Sequence, residues 1–104
     1  ISKFRELKQL YLNSNSVTGT IPLELCSLTS LEILFLQDNG LSGNIPSEIG
    51  SLQNLEYLNL SKNKFEGIVP SSLAQLTNLE FLSLGDNQFS GTFPKEIALL
   101  KKLN

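Results

Sequence analysis

The chain has 104 residues, a formal net charge of −2, 17% charged side chains and 40% hydrophobic ones, which is enough for one domain. The acidic balance excludes a basic nucleic-acid-binding surface. The apolar content excludes a disordered acidic tail, and no run of about 18 apolar residues is available to span a membrane. There is one cysteine, Cys26, and no histidine, so no intrachain disulfide can form and the commonest general base and metal ligand are both missing. With no nucleophile–base pair, metal-ligand cluster or phosphate-cradling loop in view, neither enzymatic activity nor a cofactor or metal is expected.

Leucine supplies 22 of the residues, and its placement is periodic. From the N-terminus, Leu7-x-x-Leu10-x-Leu12-x-x-Asn15 is followed by Thr18-Gly19-Thr20-Ile21-Pro22 and a short polar–apolar stretch. The pattern returns 24 residues later as Leu31 to Asn39 with Ser42-Gly43-Asn44-Ile45-Pro46. It returns again from Leu55 to Asn63 with Glu66-Gly67-Ile68-Val69-Pro70, and from Leu79 to Asn87 with Ser90-Gly91-Thr92-Phe93-Pro94. A fifth copy opens at Leu103. The Leu-x-Leu step has period 2 and predicts a short strand with alternate side chains buried. The stretch after each proline is long enough for a 3₁₀ or one-turn helix, with Ser47 as a candidate cap.

The strand motif, the asparagine and the Ser-Gly-x-Ile-Pro run together resemble the leucine-rich repeat family, closely its plant-type subclass. The resemblance covers the whole chain. It implies an α/β solenoid: a right-handed superhelix with a parallel β-sheet on its concave face and short 3₁₀ or irregular segments on the convex side. A second, less regular strand is implied near each Gly-x-Ile-Pro segment. The repeats 1–104 read as one domain of about four copies. Ile1 falls partway through a repeat and no cysteine-bearing cap is present, so the chain is expected to be an uncapped piece of a longer array.

The column positions explain fold. One repeat cannot bury its own leucines, so Leu10, Leu34, Leu58 and Leu82, with Leu12, Leu36, Leu60 and Leu84, are expected to form a core by stacking. Asn15, Asn39, Asn63 and Asn87 are expected to form a ladder that satisfies backbone groups of adjacent turns. Gly19, Gly43, Gly67 and Gly91 supply backbone freedom. Cys26 shares a column with Gly50, Ala74 and Ala98 and reads as a small buried side chain.

Function is therefore expected between the columns, on the concave face. Ile33, Tyr57 and Phe81 make one apolar line, and Tyr11 beside Phe35 begins another, continued by Asn59. These six residues are the candidate ligand-binding surface. Glu32, Glu56 and Glu80 form a ladder one residue earlier, either a solvated strand start or an attraction for a basic ligand. Asp38, Lys62 and Asp86 read as a soluble rim. Asn59-Leu60-Ser61 is an acceptor tripeptide for N-glycosylation, in competition with binding at the same face.

The resemblance implies recognition of a protein or peptide by a larger cell-surface receptor-like or secreted protein, hence an extracellular location, with further repeats or capping segments at both ends. No nucleic acid and no direct membrane contact are expected of this segment. A structural spacer or scaffold is the alternative. Ice binding is a third reading, weakened because Thr18, Thr20, Thr29, Thr77 and Thr92 do not stack in unbroken columns.

Overall fold

The computed structural model describes residues 6–98. The Ile1, Phe4, Arg5, Leu100 and Leu103 positions and the Lys101-Lys102 pair lie outside the described residues. Each repeat contributes one strand to each of two parallel sheets. The first sheet holds β1 (Gln9–Tyr11), β3 (Ile33–Phe35), β5 (Tyr57–Asn59) and β7 (Phe81–Ser83). The second holds β2 (Thr18–Gly19), β4 (Gly40–Gly43), β6 (Lys64–Gly67) and β8 (Gln88–Phe89). Between them, among the described residues, run three 3₁₀ helices, η1 (Leu23–Ser27), η2 (Ser47–Ser51) and η3 (Ser71–Gln75), and the short helix α1 (Lys95–Ala98). The chain is an α/β solenoid, with the second strand per repeat that the resemblance implies.

The first sheet keeps the sequence period: Gln9, Ile33, Tyr57 and Phe81 stand side by side, as do Tyr11, Phe35, Asn59 and Ser83. The second sheet does not. There Thr18 pairs with Gly40, Ser42 with Lys64 and Glu66 with Gln88, a two-residue slip per repeat. A slip of two preserves which side chains face inward, because strand side chains alternate with period 2.

Proline starts each back-side helix. Pro22, Pro46 and Pro70 occupy the N-cap with extended backbone, and none of the three helices has a side-chain cap. Ser47 is therefore not the cap: it is the first helical residue, and its hydroxyl sits 3.4 Å from the neighbouring Glu48 carboxylate. Proline's fixed φ prepares the turn and removes one N–H that would otherwise need a partner.

The core fills the space between the sheets and the helices. Leu34, Leu58 and Leu60 are fully buried, together with Leu31, Leu55, Leu79, Leu52, Leu76 and Phe65. The leucine columns lose cover toward the ends: Leu36 is 3% exposed and Leu60 0%, whereas Leu12 is 37% exposed. Leu10, Leu82 and Leu84 are partly buried. Phe65 and Phe89 stack with centroids 6.4 Å apart, continuing the apolar spine between the sheets. Cys26 is buried, and that burial, followed by the nearby Glu48 charge, pushes its thiol up to about 11. It is protonated and unreactive at neutral pH.

Candidate recognition face

The face begins with the turn that ends each strand. Ser14, Asp38, Lys62 and Asp86 have φ of 58°, 62°, 56° and 55°, the left-handed region in which a single residue reverses the chain. The next residue in each case is the ladder asparagine. Asn63 donates through Nδ2 to the carbonyls of Leu36 (3.0 Å), Leu60 (3.3 Å) and Ser61 (3.1 Å), and its Oδ1 accepts from the Leu41 N–H at 3.0 Å. Asn39 and Asn87 repeat the arrangement, accepting from the N–H of Val17 and Phe65. Asn15 reaches only the carbonyls of Leu12 and Asn13, and is exposed. Each interior asparagine thus ties its own turn to the preceding repeat and holds the strand ends in line.

A second amide ladder was not anticipated from the sequence. Asn54 donates to the Thr29 carbonyl at 2.9 Å and Asn78 to the Gln53 carbonyl at 3.2 Å. The two residues are 24 apart, so the signal was present in the repeat. It was masked because Ser30 occupies the preceding copy.

With the strands fixed at both ends, their outward side chains form three columns. The first runs Gln9, Ile33, Tyr57, Phe81; Ile33 is half-buried, and Tyr57 and Phe81 are 38% and 39% exposed. The second runs Tyr11, Phe35, Asn59, Ser83, with Tyr11 51% exposed. Its edge against Phe35 is T-shaped, with centroids 5.3 Å apart and an interplanar angle of 87°, a favoured aromatic geometry. The third column follows at Asn13, Gln37, Ser61 and Gly85 and is polar wherever it has a side chain. Asn59 is half-buried, and its Oδ1 accepts from the Ser61 hydroxyl at 2.7 Å and the Ser61 N–H at 3.1 Å. In the third column the Gln37 Oε1 is buried without a hydrogen-bond partner.

Glu32, Glu56 and Glu80 sit at the N-terminal rim of this face, each half-buried. Their backbones extend the ladder: the Glu32 carbonyl accepts from the N–H of Glu56 (2.8 Å) and Tyr57 (3.0 Å), and the Glu56 carbonyl does the same for Glu80 and Phe81. Across the strands the face therefore passes from carboxylates, through aromatic and aliphatic groups, to amides and hydroxyls. Among the described residues, no cluster of three or more His, Cys, Asp or Glu could hold a metal ion, and no helix is long and apolar enough to cross a membrane.

Comparisons with known proteins agree with this architecture. One leucine-rich repeat family model matches residues 44–89, and another matches residues 6–28 and 30–52. No curated protein matches significantly. Among solved structures, the chain superposes with a TM-score of 0.95 and 41% identity on the ectodomain of the Arabidopsis thaliana membrane receptor kinase GASSHO1/SCHENGEN3, solved in complex with CASPARIAN STRIP INTEGRITY FACTOR 2. That match covers 98% of this chain and 12% of the ectodomain. The plant peptide hormone receptor RGFR1, solved in complex with RGF2, gives a TM-score of 0.93 and 44% identity, over 96% of this chain and 16% of that one. A plant ice-binding protein gives 0.87 and 34%, over 90% of this chain and 31% of that one. The chain therefore spans under a fifth of each of the two receptor chains.

Proposed function

Because the chain belongs to the leucine-rich repeat family, in its plant-type subclass, we propose that it is a non-catalytic recognition module whose concave sheet presents Tyr11, Ile33, Phe35, Tyr57, Asn59 and Phe81 to a protein or peptide. The observation that carries this reading is the exposure of Tyr57 beside Phe81 in one column, and of Tyr11 in the next, on a sheet whose inward Leu34 and Leu58 are fully buried. Large aromatics held rigidly at such positions are the residue type that dominates binding energy at interfaces. The two receptor structures, each solved with its named partner, support the same reading.

In the proposed setting the module is part of a larger extracellular, receptor-like or secreted protein, with further repeats or capping segments stacked on both ends. On the N-terminal side, support comes from the exposed Leu12 and from an apolar hollow of about 340 Å³ lined by Leu12, Val17, Ile21, Leu25, Leu36 and Leu41. A hollow of that kind is what a neighbouring repeat fills. Likeness to the ice-binding protein gives that third reading some footing. The second sheet, however, sets Ser42 against Lys64 and Glu66 against Gln88, which breaks any flat rank of hydroxyls.

The test is selection of binders from a displayed random-peptide library, followed by affinity measurement against the chain with Tyr11, Phe35 and Tyr57 changed to alanine. The reading predicts at least about a tenfold loss of affinity, with the circular dichroism spectrum unchanged. Binding that survives the triple substitution would move recognition to the ends or convex side and favour the scaffold alternative.

A further inference from the structure

Val17 holds two groups of the following repeat at once, and those two groups can react with each other. Its N–H donates to the Asn39 Oδ1 at 3.1 Å, and its carbonyl accepts from the Gly40 N–H at 2.8 Å. The Asn39 Nδ2 in turn donates to the carbonyls of Leu12 (2.9 Å), Leu36 (3.0 Å) and Gln37 (3.2 Å). Among the ladder asparagines Asn39 alone is followed by glycine; Ser16, Lys64 and Gln88 stand at that place in the other copies. With no side chain at residue 40 and a backbone free to reorient, the Gly40 nitrogen can approach the Asn39 side-chain carbon, Cγ, once the turn is released.

The chemistry is a loss of ammonia followed by uptake of water. A solvent base removes the Gly40 N–H proton, the electron pair of the nitrogen forms a bond to Asn39 Cγ, and the Cγ–Nδ2 bond breaks, with Nδ2 leaving as ammonia. Water then opens the cyclic imide. Attack at Cγ leaves aspartate, and attack at the Asn39 backbone carbonyl carbon leaves isoaspartate, with the main chain running through the side chain. The native bonds oppose the first step. Val17 holds the Gly40 proton, and the Asn39 amide is held at both its oxygen and its nitrogen. Both restraints on Val17 break in one motion, the separation of the Val17 segment from the turn that follows β3.

We propose that Asn39-Gly40 is a deamidation site gated by the amide ladder, reactive only while the Val17 segment is detached, and that its product makes the detachment permanent. A carboxylate accepts but does not donate, so the carbonyls of Leu12, Leu36 and Gln37 lose their shared donor and face a negative charge instead. Backbone groups left without partners cost more than one hydrogen bond contributes. Isoaspartate also inserts a methylene into the main chain between β3 and β4. Leu12 adjoins Tyr11, so the altered turn loosens the segment that sets Tyr11 against Phe35. The inference stands on the ladder geometry and does not depend on the concave-face reading.

The test incubates the full chain in mildly alkaline buffer and follows Asn39 by peptide mapping with isoaspartate detection, in native buffer, in low urea and in denaturing urea. Conversion should be at least about tenfold faster in denaturing urea than in native buffer, since local opening is a minor state of the fold. At low urea it should rise in step with hydrogen exchange at the Gly40 amide of the same sample. Gly40→Ala, whose Cβ would sit 3.3 Å from the Thr18 methyl, should suppress conversion even in denaturing urea, where folding of the variant plays no part. Asn39→Asp, the aspartate product, should lose exchange protection at Gly40 while Phe65, bonded to Asn87, keeps its own. Equal conversion in native buffer and in denaturing urea would show an ungated site and overturn the inference, as would no conversion in either. Conversion that stays flat while Gly40 exchange rises with urea would break the link to opening. Asn13 or Asn15, both followed by serine, converting ahead of Asn39 in denaturing urea would remove the reactive site from Asn39. Full protection of Gly40 in Asn39→Asp would overturn the permanence of the product.

Discussion

Asn63 does the work of four hydrogen bonds with one side chain. Its amide satisfies three carbonyls and one N–H in two successive repeats, and among the described residues it is the one polar or charged residue that is buried. Leaving several buried backbone groups without partners costs more than the net value of any single bond. Asn63→Ala should therefore destabilise the fold by about 2–4 kcal/mol, while Asn15→Ala, at an exposed turn, should cost under about 1 kcal/mol; urea melts of the two variants make the comparison. The asparagine column was legible from its spacing alone, because an amide recurring at a strand end has few other uses. The Asn54–Asn78 ladder on the opposite turn was not, since Ser30 interrupts it in the preceding copy. A residue's partner on a neighbouring repeat is invisible when only two copies carry it.

At the scale of the element, the period revealed which segments form strands but not how each sheet is registered. The first sheet follows the 24-residue repeat and the second slips by two positions (Thr18 on Gly40). The slip depends on backbone geometry around the turn, which side-chain identity does not encode. Lys62 sits at φ 56° and Gly67 at φ 77°, two left-handed positions five residues apart with different tolerances. A side chain at such a position costs about 1–2 kcal/mol, and glycine's extra freedom in the unfolded chain returns about 0.5–1 kcal/mol of that. Lys62→Gly should thus stabilise by up to about 1 kcal/mol. Gly67→Ala should destabilise by about 1 kcal/mol, because alanine takes on the left-handed strain that glycine avoids; the exposed Asn44 side chain that its Cβ meets can swing aside. Thermal midpoints of the two variants should move in opposite directions. Asp38, Lys62 and Asp86 read in the sequence as an ordinary soluble rim; their shared backbone conformation was hidden because lysine carries no mark of a left-handed turn.

The whole molecule behaves as a stack in which each repeat is covered by its neighbours. Interior leucines are buried without remainder, and cover falls away at Leu12, Leu10, Leu82 and Leu84. The sequence assigned all of these to the core; Leu10, Leu82 and Leu84 do pack against it, and among the eight column leucines Leu12 alone is exposed. The candidate face was legible for a simpler reason. Once the inward columns are known, period-2 alternation leaves Tyr11, Ile33, Phe35, Tyr57, Asn59 and Phe81 on the other side of the sheet. What alternation could not supply was the T-shaped contact of Tyr11 with Phe35 and the closure of Asn59 onto Ser61, both of which depend on rotamers. Recognition on the first sheet, as proposed, has a direct spectroscopic test. The most direct measurement is a map of backbone amide shifts by ¹⁵N–¹H spectroscopy as a library-selected peptide is titrated into the labelled chain. Perturbations concentrated at Tyr11, Phe35, Tyr57 and Phe81, with Glu66 and Gln88 of the second sheet silent, are the predicted result. Perturbations concentrated on the second sheet or the 3₁₀ helices, with those four aromatic residues silent, would contradict it.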